Sequence, residues 1–302
     1  MVVVVLGVTF VAFALMHYAP GDPAERIALA RYGTDLTQEQ IDAIRVAENL
    51  DAPMVVQYAT WLDHVLHLDL GNSLINGDPV AGEIAERLPA TVQLAVSSLL
   101  LSLAISIPFG TWAAMREGTG TDRALTTLAL LGQSVPNFWL SLILIWAIAL
   151  TLGLLPSYGY GTLANLVLPT IVLGTSLAAV TMRLMRSSMI DTLHEGYMDS
   201  ARAKGMDESL RVRRHAVRNA LLPVLTFAGI QLGMLLGGMV VIESIFAWPG
   251  IGSLLVDAAN DGDYAMMQGC VLFIAVAYAV VNLLVDISYS VVDPRVRYDA
   301  RA

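Results

Sequence analysis

Few residues of this 302-residue chain could do chemistry. Its one lysine, Lys204, stands in Ala-Lys-Gly, so no Gly-x4-Gly-Lys-[Ser/Thr] loop is present to cradle a nucleotide's phosphates. Neither Gly-x-Ser-x-Gly nor His-Glu-x-x-His occurs. The single cysteine, Cys270, lies in an apolar run and reads as a small core-facing residue without an internal disulfide. His64 and His67 share a helix face, with Asp63 and Asp69 nearby, so a metal site is conceivable. The favoured reading is two polar residues on the wet side of an amphipathic helix. Two features remain. One is Tyr197–Gly205, Tyr-Met-Asp-Ser-Ala-Arg-Ala-Lys-Gly, in the longest polar segment of the second half. The other is Glu243, an ionisable group in an otherwise apolar run, which is a functional candidate by default. It could meet an amine or a metal chelate, or cap the neighbouring Trp248-Pro249-Gly250 turn. The structural role is at least as well supported. Gln231, Met234 and Met239 share its run, and their ordinary reading is helix packing.

The elements that must position these residues are membrane spans. The chain is 56% hydrophobic and only 14% charged, where a soluble domain averages about a quarter charged. An all-α polytopic membrane protein with about six spans is expected. Residues 1–19 form the first span. No basic n-region precedes it, so a spanning helix that lacks its basic leader here is expected rather than a cleaved signal peptide. Pro20-Gly21-Asp22-Pro23 stops it. Residues 20–93 then read as an acidic, helical insertion, with twelve Asp and Glu against four Arg. Thr37 and Gln40 fit a capping box. Met54, Tyr58, Trp61, Leu62 and Val65 make one helical stripe. Asp69–Ser73 is a turn-rich break, and Pro79–Leu88 a third short helix.

Residues 94–291 hold five further spans. They are Leu94–Met115; Ala124–Leu154, read as one long kinked helix, with two half-spans possible at Ser134–Trp139 because Pro136 removes a helical donor; Leu163–Met182; Leu221–Phe246; and Met266–Val291. Between the last two, Ser253–Asn260 is a short amphipathic segment. The polar loop occupies 186–220, and 292–302 is a basic tail. With the N-terminus inside, inner loops and tail hold thirteen of the seventeen Lys and Arg. The other four lie in the insertion, which therefore faces out, while Tyr197–Gly205 faces the cytoplasm.

Physically, a cytoplasmic loop that a partner grips needs a short helix, a small-residue face and a closing turn. Asp199, Ser200, Ala201 and Ala203 supply the face, Asp199 favours the helix start, and Gly205 can take the left-handed conformation that ends a helix. Arg202 and Lys204 complete the segment. By itself, a solvated loop helix would look similar.

Taken together, several segments resemble the B-type permease of dipeptide, oligopeptide and nickel ABC importers. They are Pro20–Pro23, His67–Gly71, Leu88–Thr91, Ser134–Trp139, Leu155-Pro156, Ala201–Gly205, Arg214–Ala220, Glu243–Gly250 and Asp293–Arg295. The combination in this order is specific although each piece alone is not. The resemblance implies a type I, MetI-like importer permease in a prokaryotic plasma (inner) membrane, carrying small peptides or a nickel chelate inward. It implies a heterodimer with a second related permease, two cytoplasmic ABC ATPase subunits and an extracytoplasmic substrate-binding protein, with no nucleic acid. ATP and Mg would sit on the ATPase subunits, and this chain would bind no cofactor or metal and catalyse no bond chemistry. Asp199–Gly205 would be the ATPase-coupling motif, and Gln231, Met239 and Glu243 would lie on the substrate pathway. Two departures are visible: Asp199-Ser200-Ala201 replaces the more usual Glu-Ala-Ala, and Leu222-Pro223 comes several residues late. An ion-coupled secondary transporter is the rival; the lack of a visible internal repeat counts mildly against it, as do the few buried carboxylates. A membrane enzyme would need paired catalytic residues that are not seen.

Overall fold

The computed structural model describes residues 2–18 and 22–292. The Pro20-Gly21 stop, Asp293–Arg295 and the basic tail lie outside the described residues. The elements of the described chain are helices: α1 Val2–His17, α2 Pro23–Tyr32, α3 Gln38–Ala47, α4 Met54–Leu66, α5 Val80–Met115, α6 Gly120–Ser134, α7 Asn137–Leu144, α8 Leu163–Leu193, α9 Gly196–Ala203, α10 Glu208–Arg211, α11 Val217–Gly238, α12 Val240–Ile245, α13 Ile251–Asp261 and α14 Tyr264–Val292. Wider π-type turns extend α7 over Ile145–Thr151 and join α10 to α11 over Val212–Ala216. Among the described residues, the extended pairing is one antiparallel bridge, Asn72 to Pro79.

Among the described residues, four helical stretches are long and apolar enough to cross a bilayer: Val80–Met115, Leu163–Leu193, Glu208–Gly237 and Tyr264–Ile287. The pair Gly120–Ser134 and Asn137–Thr151 makes a fifth, broken crossing, and α1 is a shorter apolar helix. This is the expected all-α membrane fold, with four or five apolar spans among the described residues where about six were expected.

Several boundaries differ from the sequence-based expectation. The separate helix over Pro79–Leu88 and the span from Leu94 are one helix, α5, which runs straight through Pro89. At about 1.5 Å per residue α5 is roughly 54 Å long, well beyond a hydrocarbon layer of about 30 Å. Helices do not stop where hydrophobicity does. For the same reason α8 carries on past Met182 to Leu193, and the next long helix begins at Glu208. The polar loop of 186–220 contracts to the residues between Leu193 and Glu208, with α9 inside it. The third span is not a smoothly kinked helix: α6 and α7 meet at 95° across Val135-Pro136, where Pro136 supplies no donor and ends the first helix. The fifth apolar run does not reach Phe246 unbroken, because Met239 interrupts it between α11 and α12.

The chain divides into two compact units, Met1–Val92 with Leu236–Ala279, and Gln93–Leu235 with Val280 onward. In the first, α2 and α3 close on Ala24, Ile27, Ala28 and Ile44. The capping box is formed as expected, with Thr37 Oγ1 accepting from Gln40 N at 3.3 Å and Gln40 Oε1 from Thr37 N at 2.9 Å. Asp22 caps α2 and pairs with Arg45. The α4 stripe Met54, Tyr58, Trp61, Leu62 and Val65 is half-buried throughout. Tyr58 meets α1, its hydroxyl 3.0 Å from Thr9 Oγ1 and its ring edge-on to Phe10 and Phe13. A second core joins Val80 and Ile84 of α5, Ile251, Leu254 and Ala258 of α13, and Met266 and Cys270 of α14. Cys270 is thus the buried core residue its surroundings suggested.

In the second unit, Met185 and Met189 of α8 pack with Met198 of α9, Val212, Ala216, and Ala220 and Val224 of α11. A smaller cluster of Ala113, Ala129, Ala179 and Met182 joins α5, α6 and α8.

Candidate functional site: a two-sided helix and a buried glutamate

Helix α9 is built to be held on one side and offered on the other. Met198 is buried in the methionine-rich core under α8. Tyr197 is tied to α11, its hydroxyl accepting from Asn219 Nδ2 at 2.7 Å. The remaining residues turn outward: Asp199, Ser200, Arg202, Ala203, Lys204 and Gly205 are exposed, and Ala201 is half-buried. The helix ends as its glycine suggested. Gly205 has φ +75°, its N–H donates to Arg202 O at 3.0 Å, and Met206 N–H donates to Ala201 O at 3.3 Å. These two bonds are the paired closure of a Schellman motif, satisfying carbonyls that would otherwise be orphaned. Immediately afterwards Asp207 starts α10. Ser209 donates its backbone N–H at 3.0 Å and its hydroxyl to the Asp207 carboxylate, which holds that carboxyl below its ordinary pKa. An eight-residue helix, set between the ends of two long ones, therefore presents a polar, small-residue surface.

One residue pair that sequence reading did not single out braces the same unit. Arg186 of α8 donates two hydrogen bonds to Asp122 at the start of α6. The positions are 64 residues apart, and no local signal links them.

Glu243 has a different setting. It is fully buried. Thr91 Oγ1 donates to its Oε1 at 2.9 Å, and Ser253 N–H donates to its Oε2 at 3.0 Å. Thr91 Oγ1 in turn accepts from Ile251 N–H at 2.9 Å, and Trp248 Nε1–H donates to Ala90 O at 2.8 Å. Leu88–Thr91 and Glu243–Gly250, two separate motifs in the sequence, are thus one interlocked structure. Gly250 is required by close approach, since a Cβ there would overlap the Glu243 carboxylate. The geometry is that of a structural anchor for the Trp-Pro-Gly turn. Met239, one turn before Glu243, is buried, and its carbonyl accepts from Glu243 N–H at 2.9 Å. Gln231 belongs to the other unit. It accepts from Thr181 Oγ1 at 3.1 Å, donates to Leu177 O at 3.4 Å and is buried against α8. Met234 is exposed.

A parallel anchor holds the Asp69–Ser73 turn. The buried Asp263 accepts from Ser73 Oγ, Leu74 N and Met266 N. His64 on α4 and His67 just past its end are both exposed, and His67 Nδ1 is 2.8 Å from Asp63 O. Among the described residues, no three His, Cys, Asp or Glu are grouped as a metal site.

Comparison with known proteins places this architecture. Residues 106–298 match the family described as binding-protein-dependent transport system inner membrane component, and residues 1–95 its N-terminal membrane component. The chain belongs to this family and is an inner-membrane, multi-pass permease of an ABC importer of the peptide family. It is 41% identical over 304 residues to a putative peptide transport system permease protein of Brucella abortus (strain 2308), covering 98% of this chain and 96% of that one. It is 38% identical over 291 residues to the glutathione transport system permease protein GsiC of Salmonella choleraesuis (strain SC-B67), covering 96% and 94%. The fold is similar to that of the MetNI methionine ABC transporter in inward facing conformations, with TM-score 0.59 and 18% identity over 70% of this chain and 96% of that one. An amino acid ABC transporter with histidines is also similar, with TM-score 0.51 and 16% identity over 72% and 95%. Permeases of this kind work with ATPase subunits and a binding protein, and an ion-coupled secondary transporter is not favoured.

Proposed function

We propose that this chain is half of the membrane channel of an ATP-driven importer of small peptides, and that α9 is the part its ATPase partner grips. The observation that carries this reading is the two-sidedness of α9. Met198 and Tyr197 fix it to the core, while Asp199, Ser200, Arg202, Ala203 and Lys204 face outward. Closure of two ATPase subunits on ATP and Mg would push this helix. The motion would pass into α8 and α11, whose methionine and alanine side chains enclose Met198. The chain itself would bind neither ATP nor metal and would catalyse no bond chemistry.

The rest of the assembly follows the same reading. A second, related permease completes a heterodimer, two ABC ATPases bind on the cytoplasmic side, and a substrate-binding protein delivers cargo from outside. The insertion at 20–93 faces out, and α9 and the tail face the cytoplasm, consistent with the distribution of Lys and Arg. For cargo, the relatives are described as peptide and glutathione permeases, and glutathione is itself a short peptide. This favours peptide over the nickel chelate. The buried, fully bonded Glu243 favours the anchor role over a pathway role, while Gln231 and Met239 contribute as helix-packing residues beside the pathway.

The test pairs Gly205→Val with Ala201→Trp in the complete transporter in vesicles. The double variant is expected to reach the membrane and leave ATP hydrolysis unlinked to peptide uptake. Normal uptake would refute the assignment.

A further inference from the structure

Two arginines of α8, about one turn apart, are partnered differently. Arg186 is neutralised by the Asp122 carboxylate. Arg183 donates instead from Nη2 to Gln133 Oε1 of α6, at 2.6 Å. None of the ion pairs among the described residues involves Arg183. All four residues belong to the second unit. The Arg183–Gln133 bond lies at the surface: Gln133 is exposed and Arg183 half-buried.

The depth of this pair matters. Arg183 directly follows Leu163–Met182, a stretch free of Asp, Glu, Lys and Arg, about 30 Å of helix and so about one hydrocarbon thickness. An arginine at such a boundary ordinarily runs out towards water. This one runs back along the apolar stretch, the way a helical side chain leans towards its own N-terminus. Gly132, the residue before Gln133, packs beside Ala179, where a Cβ on the glycine would lie 3.9 Å from that of the alanine. Ala179 is one turn nearer the middle of α8 than Arg183. Gln133 therefore holds the guanidinium inside the apolar layer, on a face that the lone chain leaves open.

Gln133 cannot neutralise it. Arginine only donates, so the carboxamide gives up its oxygen to Arg183 and keeps its two N–H hydrogens as further donors. The pair thus offers donors and a positive charge, and it fits an anion. A charge at membrane depth faces a pathway or a subunit rather than lipid.

We propose that Arg183 and Gln133 form a carboxylate-binding site on the translocation face, where the guanidinium receives the C-terminal carboxylate of a peptide in passage. The proposal rests on the peptide-importer reading and names the part of the cargo that is read. Guanidinium and carboxylate match as a two-point pair. Every linear peptide carries this group whatever its side chains, so one site serves mixed short peptides. Gln133 also stands just before the 95° break between α6 and α7, so the site lies beside the bend of the broken span.

The experiment uses the complete transporter in proteoliposomes, with saturating binding protein loaded with either a tripeptide or its C-terminal amide. Saturation removes the binding protein's own preference. The unsubstituted transporter is expected to carry the free acid roughly tenfold faster or more, the worth of one charge-assisted hydrogen bond. Gln133→Glu gives Arg183 a carboxylate of its own while keeping the tie between α6 and α8. Its thermal midpoint should stay level or rise, and its acid-to-amide preference should vanish. A preference that survives in Gln133→Glu, or that is missing from the unsubstituted transporter, would show a strap between helices only and overturn the proposal. A second arm does not depend on cargo. Gln133→Cys in a Cys270→Ala background is exposed to membrane-impermeant thiol reagents of equal size and opposite charge, with and without Mg-ATP turnover. Faster modification by the anionic reagent is expected, with that advantage lost when Arg183→Gln is added. No modification in any nucleotide state would place the pair against lipid or inside a sealed contact, and equal rates would deny it an anion; either result overturns the site. If the unsubstituted transporter imports no peptide at all, the peptide reading fails instead, and the labelling arm still decides whether an anion site is present.

Discussion

Arg186 and Asp122 face each other as a two-point pair, Nε to Oδ1 at 2.5 Å and Nη2 to Oδ2 at 2.7 Å. The Asp122 side chain is nearly buried and that of Arg186 is about a quarter exposed. Gly118 N–H also donates to Asp122 Oδ2 at 3.0 Å. The carboxylate therefore ties the α5–α6 turn to α8, one of the helices that hold α9.

Removing the carboxylate should loosen that tie. Asp122→Ala is expected to cost about 1.5–3 kcal/mol, the range for hydrogen bonds to charged groups, and less than a fully buried pair because Arg186 reaches solvent. A double-mutant cycle with Arg186→Ala, followed by thermal unfolding in detergent, checks it. Strictly additive losses would show that the two side chains do not interact.

Trp248 should be among the most sensitive core positions. It is fully buried and its indole N–H donates to Ala90 O. Trp248→Ala is expected to lose about 3–5 kcal/mol. Trp248→Phe should lose less, keeping much of the volume while leaving the Ala90 carbonyl without its donor. Equal losses for the two variants, measured as the amount of folded protein surviving a temperature ramp, would contradict this account of the turn.

Glu243 separates an anchor from a cargo site. Glu243→Ala strands Thr91 Oγ1 and Ser253 N–H together, and both the yield of folded protein and total uptake should fall. Uptake per folded molecule should stay within a factor of about two. A fall in specific uptake at normal yield would instead put Glu243 on the pathway.

Tyr197→Phe removes one hydrogen bond, from Asn219 to the Tyr197 hydroxyl, at a partly exposed site. The stability cost should be small, on the order of 0.5–1.5 kcal/mol. The number of ATP molecules spent per peptide should rise, because α9 is less firmly seated. An unchanged ratio would show that this bond does not transmit the motion.

Features set by neighbouring residues were legible in the sequence. The Thr37–Gln40 box, the Met54–Val65 stripe, the left-handed Gly205 and the apolar spans each depend on residues within a turn or two. What was hidden depends on distance or on angle. Pro136 announces a break but not a bend of 95°. A short helix was expected to end at Leu88, yet α5 continues through Pro89, since packing at Val80 and Ile84 holds the helix on the far side. Nothing local joins Asp122 to Arg186, or Ser73 to Asp263 at 190 positions' separation.

The central claim is that the exposed face of α9 is seated in an ATP-hydrolysing neighbour. It is tested most directly by placing a cysteine at Ser200 in the Cys270→Ala background and cross-linking in native membranes. A cross-linked species joining this chain to an ATPase subunit, formed from the cytoplasmic side and altered by ATP, is the predicted result. Labelling of that cysteine from outside the cell, or no contact with the ATPase in any nucleotide state, would contradict it.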